Sequence, residues 1–165
     1  MQFGKFDSFE AFIEAYTLSR KLEELTEVAG QPFDIALARR RKGRSRDVVE
    51  VRGPVVEYLG TETSSAKHQH IIVNVTEVTE GDPDVAADLD RVITETERVF
   101  VSVRYGDRMG IPAPVPGIEA GVELHLEGEW IPREKAYAHG GERLSVLHFT
   151  HEPLGFICNE GTCFS

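Results

Sequence analysis

From Asp47 onward, apolar and polar residues alternate with period two, the spacing at which an extended chain sends successive side chains to opposite faces. Val49, Val51, Gly53 and Val55 fall on one side of the first such run, with Arg52, Val56 and Tyr58 on the other, and Gly53-Pro54 permits a strong bend within it. A second run, His68 to Glu77, turns Ile71, Val73 and Val75 inward and His68, His70, Ile72 and Asn74 outward. In the third, Arg98 to Tyr105, Val99, Val101 and Val103 point inward while Phe100, Ser102 and Arg104 point out. Gly121 to Trp130 makes a fourth strand and Arg143 to Thr150 a fifth, the latter apolar on both faces. The acidic stretch 78–97 is longer than a hairpin needs and predicts a helical turn around Val85 to Ile93.

Five short strands of this kind, the first long and bent, predict a mainly β protein: a five-stranded Greek-key barrel of the oligonucleotide/oligosaccharide-binding (OB) type over residues 47–165. Residues 1–46 read as an α-helical extension and basic linker. Asp7 can cap a helix with Glu10 three residues on, and Phe9, Phe12, Ile13 and Tyr16 then share one face from about Ser8 to about Val28. Gly30 and Pro32 end that helix, and Pro32 can open a shorter one through Phe33, Ile35 and Leu37. The apolar stripe needs a partner, either the barrel or a second copy of the chain.

Composition sets bounds on function. A chain of 165 residues, 41% hydrophobic and 28% charged, suits one globular domain with an extension. Polar and acidic residues interrupt the first residues, and no run reaches membrane-spanning length, so a cytoplasmic protein with no membrane partner is expected. Net charge is −10, yet six of the 18 basic residues fall within Arg39 to Arg46, whereas residues 77–97 hold eight acids against Arg91 alone. Affinity for a phosphate backbone must therefore come from a local patch and be weak and salt-dependent. Cys158 and Cys163, with four residues between them, are expected reduced in that compartment, a hairpin disulfide being the alternative. A thiolate metal site would need two further ligands.

Three patches carry a resemblance: His68-Gln69 opening the second strand, Gly128-Glu129-Trp130 closing the fourth, and Gly140-Gly141 leading to His148-Phe149-Thr150-His151-Glu152-Pro153 and Gly155-Phe156-Ile157. Together they are similar to a bacterial family of OB-fold proteins of unknown function, some described as nucleic-acid-binding, over about residues 47–165. The resemblance implies the barrel and a nucleic acid as ligand. In that family the last patch usually has further histidines, where this chain has only Glu152-Pro153-Leu154.

The outward residues of the first three strands supply the candidate chemistry. Arg52, Tyr58, His68, His70, Phe100 and Arg104 would form a platform on which rings stack with bases and guanidinium groups hold phosphates, unless the N-terminal helix covers it. His68, His70, His148 and His151 are candidate ligands for zinc or nickel, and with them a metal-dependent hydrolase becomes an alternative function. His148 and His151 are an odd number apart, so a bend at Thr150 is required to bring both to one face; otherwise His148 is a structural residue of the closing strand. Glu123, Glu127 and Glu129 beside His125 read as a solvated face. No nucleophile elbow or phosphate-cradling glycine loop is present, so the leading expectation is a non-enzymatic binding module, with dimerisation through the N-terminal helix as a further alternative.

Overall fold

A computed structural model describes residues 5–6, 47–63, 67–106, 111–138, 141–148, 150–151 and 154–165. The expected N-terminal helices and the basic run 39–46 lie outside the described residues. In chain order the strands are β1 (Lys5–Phe6), β2 (Val48–Glu62), β3 (His68–Asn74) and β4 (Glu77–Gly81), then β5 (Arg98–Arg104), β6 (Glu123–Ile131), β7 (Ser145–His148), β8 (Phe156–Asn159) and β9 (Thr162–Phe164). A 3-10 turn, Pro83–Val85, leads into the helix α1 (Ala86–Thr94). The protein is mainly β, as its period-two pattern predicts, and the helical segment falls within the acidic stretch.

All nine strands join one sheet. β2 pairs antiparallel with β3, β3 with β5, β5 runs parallel to β7, β7 pairs with β6, and β6 returns to β2. The remaining strands attach to this partial ring: β4 to β2, β8 to β6, β9 to β8 and β1 to β9. Five strands in a closed barrel are expected, whereas the described residues hold nine in one sheet that closes only a partial ring, in part because an expected strand is split. The run 68–77 breaks at Val75-Thr76 into β3 and β4, which follow one another along β2. β8 likewise continues along β6 from the position where β7 leaves it.

β2 can serve so many partners because it bends. At Gly53 a β-carbon would stand 1.8 Å from the carbonyl oxygen of Asn74, so only glycine admits this approach of the two backbones. Beyond the bend β2 carries two register shifts, between Val55 and Glu57 and between Tyr58 and Gly60. Each adds one residue to β2 and so reverses which face the following side chains take.

The expected inward residues form the core. Val49, Val51, Val55, Ile71, Val73, Val75, Val99, Val101 and Val103 are all buried in one cluster with Leu124, Leu126, Trp130 and Leu147. One end is closed by the proline-rich loop. The Gln69 side chain accepts from the Val115 N–H at 3.0 Å and donates to its carbonyl at 2.9 Å, and Asn159 donates to the Pro116 carbonyl at 2.7 Å. Elsewhere α1 packs Leu89 and Val92 inward and presents Asp88 to the sheet. One Asp88 oxygen accepts from Trp130 Nε1 at 2.8 Å and from Ser145 Oγ at 2.9 Å. Arg91 pairs with the other Asp88 oxygen and with Glu97, which Arg133 also reaches at 2.6 Å. Trp130 therefore points into the core toward α1.

Cys158 and Cys163 face one another across β8 and β9 and are joined by a disulfide, so the expectation of a reduced pair is revised and neither sulfur is a thiolate ligand. The helices place no membrane span among the described residues: none is long and apolar enough to cross.

Candidate functional site

Alternation along β3 and β5 fixes the outer face. Gln69, Ile71 and Val73 turn inward, leaving His68, His70 and Ile72 outside; Val99, Val101 and Val103 do the same for Phe100, Ser102 and Arg104. The antiparallel register sets His68 opposite Arg104, His70 opposite Ser102 and Ile72 opposite Phe100. Four of the expected platform residues thus share one surface: His68, His70, Phe100 and Arg104.

The other two do not join them. Tyr58 stands opposite Ile71, an inward residue, because the bulge at Val56 reverses the alternation that had grouped Tyr58 with Arg52. It is nonetheless 41% exposed, as are neighbouring Val56 and Leu59 to similar extents. Arg52 precedes the bend, opposite His125 of β6, with its Nε 4.0 Å from Glu77. Outside positions after the bulge are filled instead by Glu57 and Glu62, opposite Ile72 and His68.

The outer face is also partly roofed. Ile72 and Phe100 are buried in a second apolar cluster with Ala136, Leu144 and Val146, against which Ile131 packs. The roof comes from the chain between β6 and β7 and from β7 itself. Phe100 is only 3% exposed, so its ring is core and offers no free stacking surface. Its contact with His70, ring centroids 5.0 Å apart, carries the cluster to the edge of the roof.

At that edge lies an open groove of ≈ 420 Å³. Its floor is His70, Ile72 and Phe100, Glu57 and Leu59 of β2 form one side, and Ala138, Glu142 and Leu144 form the other with Arg98. Arg98 and Glu142 are ion-paired across the rim. Leu59 and Glu57 escaped the sequence reading because the bulge hides their parity. Ala138 and Glu142 escaped it because nothing in their polar surroundings signals which face of the sheet they meet. The hydrophobic Leu144 was the one available cue.

The histidines separate into two environments. His68 and His70 stack at 6.0 Å between ring centroids, and His148 lies 6.0 Å from His68. His148 is half-buried, opposite Glu129. His151 is buried beyond the end of β7. Among the described residues, the one group of three potential ligands with donor atoms all within 4.8 Å of one another is Asp47, Asp82 and Asp84, not the histidines. Asp47 has its carboxyl raised above the ordinary value, first by burial and then by the negative charge of Asp82.

The surface around His125 differs from the solvated face expected. His125 Nε2 lies 2.5 Å from Glu50 Oε1, its ring meets Phe156 edge-on at 5.1 Å, and Glu127 is buried. The hydrogen bond with His125 holds the Glu50 carboxyl below the usual value, against the opposing effect of burial.

No family model, curated protein or solved structure matches the chain.

Proposed function

We propose that the protein is an OB-type binding module that takes a single-stranded nucleic acid weakly, one base seated in the groove beside His70. The observation that carries this reading is the groove itself. It opens on the outer face of β3 and β5, the second and third strands of the circuit β2–β3–β5–β7–β6, and OB barrels bind ligands on that face. The order of the circuit, with its parallel β5–β7 pair, is the order of an OB barrel and supports the resemblance of residues 47–165 to the bacterial OB-fold family.

The chemistry of the groove selects the base more than the backbone. Exposed Leu59 gives a flat ring an apolar contact above the buried Ile72 and Phe100, and the His70 imidazole adds a stacking partner. Glu57 supplies a carboxylate acceptor on the side of the groove away from the Arg98–Glu142 pair, which suits an exocyclic amino group of cytosine, adenine or guanine, a donor that thymine and uracil lack. Arg104, opposite His68 on the same face and two residues along β5 from the partner of His70, adds a positive charge to the surface beyond the groove. With a net charge of −10 the affinity is expected near the weak end, a Kd of about 10⁻⁴ M.

Fluorescence anisotropy with short labelled oligo-dC and oligo-dT at 50 mM salt tests the proposal. Oligo-dC should bind the tighter, and Glu57→Gln should narrow the difference. Absence of binding by either strand, or equal binding that His70→Ala leaves unchanged, refutes it.

A further inference from the structure

The histidine cluster next to the groove has a geometry of its own. His68 and His70 are two residues apart on β3, so both imidazoles project from the same face, while Gln69 between them is buried on the other. β5 lies beside β3 and β7 beside β5. His70 is opposite Ser102 on β5, and His148 on β7 comes one step beyond the paired residues Val101 and Leu147. On the outer face small Ser102 is flanked by His70 on one neighbouring strand and His148 on the other, and the His68 ring lies 6.0 Å from each of theirs.

The geometry points to a binding site for one borderline divalent ion, zinc or nickel, held by His68, His70 and His148. Two imidazoles sharing a tetrahedral ion at a metal–nitrogen distance of about 2.1 Å keep their ring centres roughly 5 Å apart. The observed separations of 6.0 Å for both His68–His70 and His68–His148 are wider by about one ångström, and the donor nitrogens are not all within 4.8 Å of one another, so the site forms only when the imidazoles turn about their side-chain torsions to converge on the ion. Rigid strands hold the three β-carbons, which is the condition for a site whose ligands need only turn. Three neutral imidazoles suit zinc and nickel and leave a coordination position for water or a ligand from the groove, since His70 belongs to both. Carboxylates of the second layer are in place as well: Glu62 lies 3.9 Å from His70 Nε2, and Glu129 is the strand partner of His148. Such groups orient ligating imidazoles and compensate the ion's charge. Neither cysteine is available to this set, both being held in the disulfide.

The test is metal uptake by the untagged full chain, without nucleic acid, so its outcome is independent of the oligonucleotide titration. Equilibrium dialysis against zinc or nickel chloride should load about one equivalent, and cobalt substitution should give visible d–d bands of a nitrogen-rich site. His68→Gln and His148→Gln should each weaken uptake at least tenfold while retaining the circular dichroism of the parent. His125→Ala, a histidine on a different surface, controls for adventitious binding and should load as the parent does. Substantially less than one equivalent in the parent protein overturns the site. So does uptake that survives both glutamine variants. If the glutamine variants unfold, the cobalt spectrum of the parent decides alone: absence of a visible band refutes the inference.

Discussion

Asp88 offers the strictest test of how the helix is tied to the sheet. Its carboxylate is the acceptor for two donors that have no exposure to water: the indole N–H of Trp130, a residue 1% exposed, and the hydroxyl of Ser145, 0% exposed. Asp88→Ala deprives both of their acceptor. A buried donor left unpaired costs about 1–3 kcal/mol, and the serine hydroxyl can rotate to seek another oxygen while the indole cannot. Arg91 keeps Glu97 at 2.6 Å, so its loss is smaller. The expected destabilisation is about 3–4 kcal/mol, a large fraction of the stability of a domain this size.

Urea unfolding followed by far-ultraviolet circular dichroism measures it, and a double-mutant cycle isolates the cause. Trp130→Phe removes the donor, so in its presence Asp88→Ala should cost about 1–3 kcal/mol less than it does alone. A loss below about 1 kcal/mol for Asp88→Ala, or a cycle that is additive within about 0.5 kcal/mol, would show that the carboxylate is not what holds Trp130 and α1 together.

Phe100→Ala should lower stability by about 3–5 kcal/mol, because the ring is core of the second cluster; a purely ligand-binding ring would leave the unfolding midpoint in place. Gly53→Ala should cost at least about 2 kcal/mol, since the new β-carbon meets backbone that cannot turn aside, whereas Gly60→Ala, with open space but φ of +95°, should cost only about 1 kcal/mol in urea unfolding. Glu50 is lowered in the folded state, so its contribution to stability is complete above the unfolded carboxylate value and is lost as pH falls through the lower folded one. His125→Ala should remove that part of the acid dependence, and an unchanged slope of stability against pH between 5 and 3 would count against the pair. Asp47 has the opposite sign: its raised carboxyl favours the fold at low pH and loses that effect as pH rises, so Asp47→Asn should stabilise the protein slightly at neutral pH.

How much of this was legible depended on which side of the sheet a residue occupies. The inward sets of β2, β3 and β5 are β-branched valines and isoleucines at strict period two, and burial on that side is collective, so the pattern is redundant and survives local irregularity. The helix in the acidic segment was equally plain, because Val85, Leu89 and Val92 fall on one face. Outer-face assignments depend on single residues. One extra residue at Val56 moved Tyr58 away from the group containing His70 and put Glu57 into it, and no local propensity marks such a bulge. The burial of Ile72 and Phe100 was foreseeable only as a question, since two large apolar side chains on an exposed face need a cover. The helix at the N-terminus was the expected candidate. Ala136, Leu144 and Val146, from the chain after β6, form the cover that the described residues show.

That roof links stability to binding. Ala138, Glu142 and Leu144 belong to the segment that covers Phe100 and also make one side of the groove, so the pocket exists only while the second cluster is packed. The cluster is small, five buried residues and Ile131, against the large main core within the sheet. A small cluster under a connecting segment opens at lower free energy than a main core does, because it loses few apolar contacts on opening. The groove side is therefore the part of this surface most able to adapt, while His68, His70 and Ser102 stand on paired strands and keep their spacing. An adaptable wall facing a rigid row of imidazoles suits a module that fixes one group of its ligand and tolerates variation in the rest.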